Sequence, residues 1–466
     1  MYKISLNKHV RVLSSNRTTD RYNLFLDPEK GYWLGVKNED LSAVMLLLGN
    51  PIGVDEFLQI YPSKQSVVRE LYYAGLLNIN GLPRYQNNTE NGCEYMQKEQ
   101  LIIVVNMTEK CNLACSYCYA HTGSSQNAHF SDEDILSYID SAYQCFQSTR
   151  QLTIVFHGGE PLVIFPRLKS LIGKIRIISN NIRLSVQTNG TLLTSSIADF
   201  FKENNVSVGI SLDGISPISN NNRPFKSGAS SVDAVINGIK NLLLSGNKFG
   251  VLSVITPQNI PFIRQTFDFL VDLGVNNFVF NTLLQRDSSL EDCKSVDYES
   301  LASAYIDIAC RINDLNTTRD CKDFVSERSI STLIKSLLYQ EQNICYCTPC
   351  GAGNQTIAID IKGGIYACDC LVGCEEFYLG SIYDKFIPPS PDNHPALSNR
   401  TIQMIETCKD CDIHRLCINK CASDSFYRYN DIYHPHSLCR LSKVLIPRLM
   451  VLLTENRLNP DLFNIN

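Results

Sequence analysis

The chain has 466 residues, enough for about two or three domains, with 44% hydrophobic and 19% charged residues. A formal net charge of −5 leaves no basic footprint for nucleic acid. No apolar run reaches the ~18 residues of a membrane span and no signal-peptide pattern opens the chain, so the expectation is a cytoplasmic protein that meets neither nucleic acid nor membrane. In a reducing compartment, 19 cysteines argue for metal or redox chemistry over disulfides; none precedes Cys93, and eleven fall between Cys345 and Cys439.

Residues 1–92 read as a separate small domain. Ile4 to Leu13 and Tyr22 to Val36 are expected as short strands, the second broken by a turn at Pro28 to Gly31. Leu41 to Leu48, stopped by Gly49-Asn50-Pro51, then Val54 to Ile60 and Ser66 to Ala74, are expected as helices, and Gly75 to Ile79 closes the unit. Strands, three helices and a small wing resemble the PqqD-like winged-helix peptide-recognition domain, in which a leader peptide adds as a strand to the exposed sheet edge. A winged-helix remnant that only packs on its neighbour is the alternative. The polar stretch from Gly81 to Asn91 reads as a linker.

From Leu101 a repeating pattern sets in. Apolar, β-branched runs at Leu101 to Val105, Leu152 to Phe156, Ile182 to Val186, Val206 to Leu212, Val251 to Ile255 and Asn277 to Phe280 alternate with helical stretches. Among these helices are Asp132 to Phe146, Pro166 to Ile178, Val232 to Leu244 and Ile263 to Leu273. Strand and helix in alternation predict parallel βαβ units with right-handed crossovers, and chemistry is expected at the strand C-terminal ends.

At the first of those ends stands Cys111-Asn112-Leu113-Ala114-Cys115-Ser116-Tyr117-Cys118-Tyr119. Three closely spaced thiols point to a metal with an open position, since ferredoxin clusters and structural zinc sites take four ligands. A four-iron cube on three thiolates keeps one iron free. A zinc site completed from a distance, or plain buried cysteines, is the alternative. The C-x3-C-x2-C spacing, with Tyr117 before the last cysteine, resembles the radical S-adenosylmethionine (SAM) motif. That resemblance implies an α/β fold: a partial (β/α)6 barrel holding a [4Fe–4S] cluster and SAM.

Other strand ends carry motifs that fit it. His157-Gly158-Gly159-Glu160-Pro161 resembles the family's GGE motif, whose backbone and carboxylate hold the SAM amino group; Gly158, Gly159 and Glu160 are the implied contacts. Gln187 and Asn189 after the third strand, and Ser211 and Arg223 around the fourth, are implied contacts to ribose and carboxylate. Tyr117 is implied to lie against adenine; Val254-Ile255-Thr256 either packs there too or is simply a buried strand end, and Tyr119 is either near the cofactor or core. Asp213 is read equally as a turn cap and as functional. Isolated Cys93, Cys145, Cys293, Cys310 and Cys321 are read as small hydrophobes used in packing.

The densest signal lies downstream: Cys408, Cys411, Cys417, Cys421 and Cys439, preceded by Cys350 and by Gly364 four residues before Cys368. Alone this is also a zinc-ribbon signature. The ordered series resembles the Cys-rich SPASM extension, which implies two auxiliary [4Fe–4S] clusters and so three in all. One takes Cys350, Cys368 and Cys421, either completed by Cys347 or Cys345 or left with an open iron; the other takes Cys408, Cys411, Cys417 and Cys439. Cys370 and Cys374 are surplus. Asp369 matches the base proposed for sulfatase-maturing enzymes, although its surroundings look more like thioether maturases.

The expected division is 1–92 for leader recognition, 93–300 for the barrel, 301–340 for a helical bridge, 341–445 for the SPASM domain and 446–466 for a tail. The implied activity is oxidative modification of a ribosomally made precursor peptide with a leader. A thioether from cysteine sulfur to a residue carbon is expected, with ferredoxin or flavodoxin as electron donor. Formylglycine formation, carbon–carbon cross-linking, epimerisation and, outside enzymes, a zinc-binding interaction protein stand as alternatives.

Overall fold

The computed structural model describes residues 2–13, 21–85, 100–118, 127–283, 297–341 and 345–463. Cys93, Tyr119 and Cys293 lie outside the described residues.

The N-terminal unit follows its hydrophobic pattern closely. Strands β1 (Lys3–Leu6), β2 (Arg11–Val12), β3 (Tyr22–Asp27) and β4 (Tyr32–Lys37) precede α1 (Leu41–Leu46), β5 (Ile52–Gly53), α2 (Val54–Ile60), α3 (Gln65–Tyr73), β6 (Leu77–Ile79) and β7 (Leu82–Pro83). One sheet runs β5-β1-β6-β7 and the other β2-β3-β4, so β4 is an edge strand. Ile4, Phe25, Val44, Phe57 and Leu71 form a core of their own. Contacts also tie the unit to the rest: the Trp33 indole N–H donates to the Leu337 carbonyl at 2.7 Å, and Arg11 pairs with Asp412 at 2.9 Å.

Six parallel strands carry the centre: β8 (Gln100–Asn106), β9 (Gln151–His157), β10 (Arg183–Thr188), β11 (Val206–Ser211), β12 (Phe249–Ile255) and β13 (Asn277–Thr282). Between and after them run α4 (Asp132–Phe146), α5 (Phe165–Ile178), α6 (Ser195–Glu203), α7 (Val232–Ser245), α8 (Ile263–Leu273) and α9 (Tyr298–Asn316). The start of α4 is set chemically: Ser131 and Asp134 bond each other's backbone N–H groups in a capping box. Alternate strand residues such as Ile103, Ile154, Val186 and Ile210 are fully buried in the main core, as strand geometry requires when one face meets helices.

The sheet continues beyond these six. β14 (Ser326–Glu327), followed by α10 (Arg328–Tyr339), adds in parallel to β13. At the other edge β15 (Thr356–Ile359) adds in parallel to β8, and β16 (Gly364–Tyr366) and β17 (Tyr378–Ser381) extend it antiparallel. The cysteine-rich segment is thereby fastened beside the first central strand. It ends with α11 (Pro395–Ser398), α12 (Ala422–Tyr429) and α13 (Cys439–Thr454), and a boundary at 445/446 falls inside α13.

One expectation is corrected here. Cys145 and Cys321 are exposed, so they are not packing residues, whereas half-buried Cys310 does pack against the core. Cys145 stands on α4 outside the buried set Ile135, Tyr138, Ile139, Ala142 and Phe146.

Candidate functional site

The segment carrying Cys111, Cys115 and Cys118 is gripped from two sides. On one side the GGE loop continues the β8–β9 pairing past the strand ends: the Gly159 N–H donates to Thr108 O at 2.6 Å and the Glu160 N–H to Lys110 O at 2.8 Å. This approach needs glycine. A Cβ on Gly159 would stand 2.3 Å from Lys110 O, and one on Gly158, at φ +122, 2.4 Å from Thr108 O. On the other side the Ala114 N–H donates to Pro224 O at 2.9 Å and the Ser116 N–H to Asn222 O at 3.0 Å, lacing the thiol segment to the loop after β11.

Glu160 is fully buried and its carboxylate faces inward. Oε1 accepts from the Leu162 N–H at 2.9 Å and the Thr188 hydroxyl at 2.6 Å, and Oε2 from the Asn189 N–H at 2.7 Å. The Asn189 amide donates to Asn112 Oδ1 at 2.8 Å and lies 3.8 Å from Cys111 Sγ. Glu160 thus braces the β10 end that in turn braces the thiol segment. Further along the strand ends, the Gln187 amide donates to Ser211 Oγ at 3.2 Å.

Below the segment lies a buried polar group. The Tyr117 hydroxyl donates to Asp213 Oδ2, the Val254 N–H donates to Asp213 Oδ1 at 3.0 Å, and Arg223 Nη1 donates to the Tyr117 oxygen at 3.1 Å. Burial raises the Asp213 carboxyl, with Arg223 pulling it back. Burial also lowers the Arg223 guanidinium, but Tyr117, Asp213 and Cys115 beside it outweigh this and leave it raised. Arg223 Nε is buried without a partner among the described residues. Such a donor costs free energy unless something meets it, and a carboxylate reaching the thiol loop would do so. Burial pushes the Cys115 thiol up to about 11, so a thiolate there calls for a cation. Three thiols and an unmet guanidinium N–H fit a cluster that carries an amino-acid ligand.

Downstream, two thiol groups gather. Cys408, Cys411, Cys417 and Cys439 line one cavity together with Arg400, His414 and His436. In the other, Cys368 is hydrogen-bonded to Cys370 and feels Cys345 and Cys421, while Cys421 feels Cys370 and Cys350, and Cys350 feels Cys347. Among the described residues no three His, Cys, Asp or Glu side chains converge on one point as ligands of a single ion would. Cys370, set aside in the sequence as surplus, stands inside this second group; its signal was the two-residue spacing to Cys368. Cys374 instead bonds the Tyr427 hydroxyl at 3.1 Å. Asp369 is brought to the strand ends, where it accepts from the Asn106 amide of β8 at 3.2 Å.

Comparison with known proteins agrees with this arrangement. Residues 105–270 match the family model of the radical SAM superfamily. A serine-type anaerobic sulfatase-maturating enzyme of Bacteroides thetaiotaomicron is 26% identical over 347 residues, covering 69% of this chain and 82% of that one. The radical SAM cyclopropyl synthase TigE of Paramaledivibacter caminithermalis is 24% identical over 428 residues, 85% of each chain. Among solved structures, Streptococcus suis SuiB bound to precursor peptide SuiA shares the fold, with a TM-score of 0.56 at 13% identity over 94% of this chain and 100% of that one. The match spans the thiol segment and the parallel strands through α8, so residues 105–270 form a radical SAM domain, and the chain is similar to enzymes of that superfamily, whose chemistry rests on SAM and a [4Fe–4S] cluster.

Proposed function

We propose that this enzyme oxidatively modifies a ribosomally made precursor peptide, gripping a leader segment with its N-terminal unit and forming a thioether from a cysteine sulfur to a residue carbon. The observation that carries the peptide reading is a groove of about 1020 Å³ between β4 and α3. Tyr32 to Lys37 line one side, Ser66, Glu70 and Tyr73 the other, and Thr454 of α13 the floor. Among the described residues β4 pairs only with β3 and so forms an edge of its sheet, the kind of edge to which a peptide adds as a strand. SuiB, whose structure holds a bound precursor peptide, supports the same substrate class by likeness of fold.

Cys111, Cys115 and Cys118 would hold the SAM-binding cluster. The downstream groups would hold two auxiliary clusters, one on Cys408, Cys411, Cys417 and Cys439, the other on Cys350, Cys368, Cys421 and one of Cys345, Cys347 or Cys370. When bound, SAM and its cluster supply a 5′-deoxyadenosyl radical, after an electron arrives from a donor such as ferredoxin or flavodoxin. The chain's own residues position and shield. The backbone of Gly158 and Gly159, with the Glu160 carboxylate, would receive the amino group, Gln187, Asn189 and Ser211 would flank the ribose, Arg223 Nε would meet the carboxylate, and the Tyr117 ring would lie along the adenine. In forming a thioether the peptide would lose two hydrogens: one as an atom from carbon, taken by the 5′-deoxyadenosyl radical, the other from the thiol as a proton, while the remaining electron would pass to the downstream auxiliary clusters. Asp369, which accepts from the Asn106 amide at the strand ends, would take that proton.

The Asp369 position and the Bacteroides relative also favour a second reading, oxidation of serine or cysteine to formylglycine. Anaerobically purified enzyme incubated with SAM, reductant and a cysteine-bearing candidate precursor separates the two. A mass loss of two hydrogens with resistance to iodoacetamide marks the thioether; an aldehyde that reacts with hydrazide marks formylglycine. Unmodified leader affinity in Ser66→Trp, which fills the groove, would sink the leader proposal. Zinc in place of about twelve irons per chain would sink the cluster proposal.

A further inference from the structure

Arg400 follows α11 and is 0% exposed, the largest fully buried side chain among the described residues. Among the described residues its guanidinium is hydrogen-bonded to neutral groups: Nε donates to Ile432 O at 2.5 Å, Nη1 to Lys420 O at 2.7 Å and Nη2 to Ser425 Oγ at 3.5 Å. Arginine does not shed its charge in proteins, and a buried charge without a counter-charge is strongly disfavoured. The neighbouring carboxylate, Asp424, does not supply one. It is taken by His436 at 3.5 Å and by the Ser437 N–H and hydroxyl at 2.6 and 2.8 Å.

The guanidinium instead feels sulfur from both downstream groups, along with Tyr433. Cys350 and Cys421 act on it from one group and Cys408 from the other, and its pull is felt in return at Cys350 and Cys408. Arg400 also lines the cavity of Cys408, Cys411, Cys417 and Cys439. The carbonyl that receives Nη1 belongs to Lys420, immediately before Cys421, and Ser425 bonds the Cys421 carbonyl at 3.3 Å. The cation therefore stands between the two groups and is fixed to the backbone of one of them. Lys443, by contrast, is exposed and acts on Cys411 and Cys439.

We infer that Arg400 is the shared counter-cation of the two downstream cysteine groups, stabilising the reduced, more negative state of the iron–sulfur clusters they hold and coupling their potentials. This rests on reading those groups as cluster sites. A fixed positive charge close to a cluster raises its reduction potential, because the added electron meets it in a low-dielectric interior.

The test is a potentiometric titration of the anaerobically purified, cluster-loaded enzyme, followed by electron paramagnetic resonance with iron and sulfide assayed in parallel. Arg400→Gln with parental iron content is expected to move both auxiliary midpoints to more negative potentials, Arg400→Lys to leave both near parental values, and Lys443→Gln to move that of the Cys408, Cys411, Cys417 and Cys439 group alone. Unmoved midpoints in Arg400→Gln, or a shift in one group only, would overturn the inference while leaving the clusters in place. Where Arg400→Gln does not load iron, Arg400→Lys decides: loading with parental potentials upholds the charge role, and failure to load overturns it in favour of a purely structural fork. Absence of iron from the parent enzyme would overturn the cluster reading and this inference with it.

Discussion

Replacing Glu160 by alanine separates two roles that its motif leaves merged, holding a ligand and holding the fold. Three donors converge on the buried carboxylate: the Leu162 N–H, the Thr188 hydroxyl and the Asn189 N–H, at 2.6–2.9 Å. Each buried donor left unpaired costs about 1–3 kcal/mol, and relaxation or an admitted water recovers part of it, so Glu160→Ala should lose about 3–6 kcal/mol. Against a total stability on the order of 5–15 kcal/mol, that is a large share. The damage should spread, because Asn189 carries the brace to Asn112 and Cys111. Anaerobic urea unfolding of the reduced apoprotein, followed by far-UV circular dichroism, measures the first effect, and iron content after reconstitution the second. A stability loss below about 1 kcal/mol with weakened SAM binding would refute the bracing argument and make Glu160 a ligand contact instead.

Gly159→Ala places a methyl group 2.3 Å from the Lys110 carbonyl oxygen, so the loop must part from the thiol segment; reduced melting temperature and reduced iron loading together are the expected result. Tyr117→Phe removes the hydroxyl that donates to buried Asp213 and receives Arg223, and should cost about 1–3 kcal/mol in denaturant titration. Burial pushes the Glu327 carboxyl up to about 7, against backbone N–H groups of Phe280, Ile330 and Ser329 that pull it down. Since the folded state holds this proton more tightly than the unfolded chain, its contribution is full below about pH 4.5 and lost as pH rises through 7. The loss is up to about 3 kcal/mol, and Glu327→Gln should flatten the stability profile between pH 5 and 8 relative to the parent.

The central fold was open to reading because each buried strand writes its own pattern. The residues of α4 and α8 match their expected spans, since caps and apolar periodicity are local. The residues of β14 to β17 were not legible in that way: strands of two to four residues carry no usable period, and β15 is recruited by β8 across some 250 residues of chain. The site shows the same division. Spacing marks Cys111, Cys115 and Cys118, but nothing local says that the Glu160 carboxylate turns inward or that Asp213 receives the Tyr117 hydroxyl. Cys370 joins the Cys368 group only because the short helical turn over Asp369 to Leu371 folds the pair together. Cys145 fails as a packing residue for a plainer reason, since a cysteine's average apolar character says nothing about which side of a helix it occupies.

Helix α13 links the groove to the downstream thiols. Its first residue, Cys439, stands in the cavity it shares with Cys408, Cys411 and Cys417, and its last, Thr454, lines the groove beside β4. At ~1.5 Å per residue the helix separates these points by about 22 Å. The separation is held at both ends: Arg415, in the loop between Cys411 and Cys417, donates through Nε to Glu29 O of the N-terminal unit at 3.0 Å. A leader seated in the groove is therefore held at a fixed place, while the radical would be supplied at Cys111, Cys115 and Cys118, so the residue to be modified must be carried to those strand ends by intervening chain. Precursor variants with that spacer progressively shortened should keep their affinity and lose modification, as read by fluorescence anisotropy and mass spectrometry on the same peptides. Full modification of a precursor whose spacer is deleted would refute the groove as the seat of the leader.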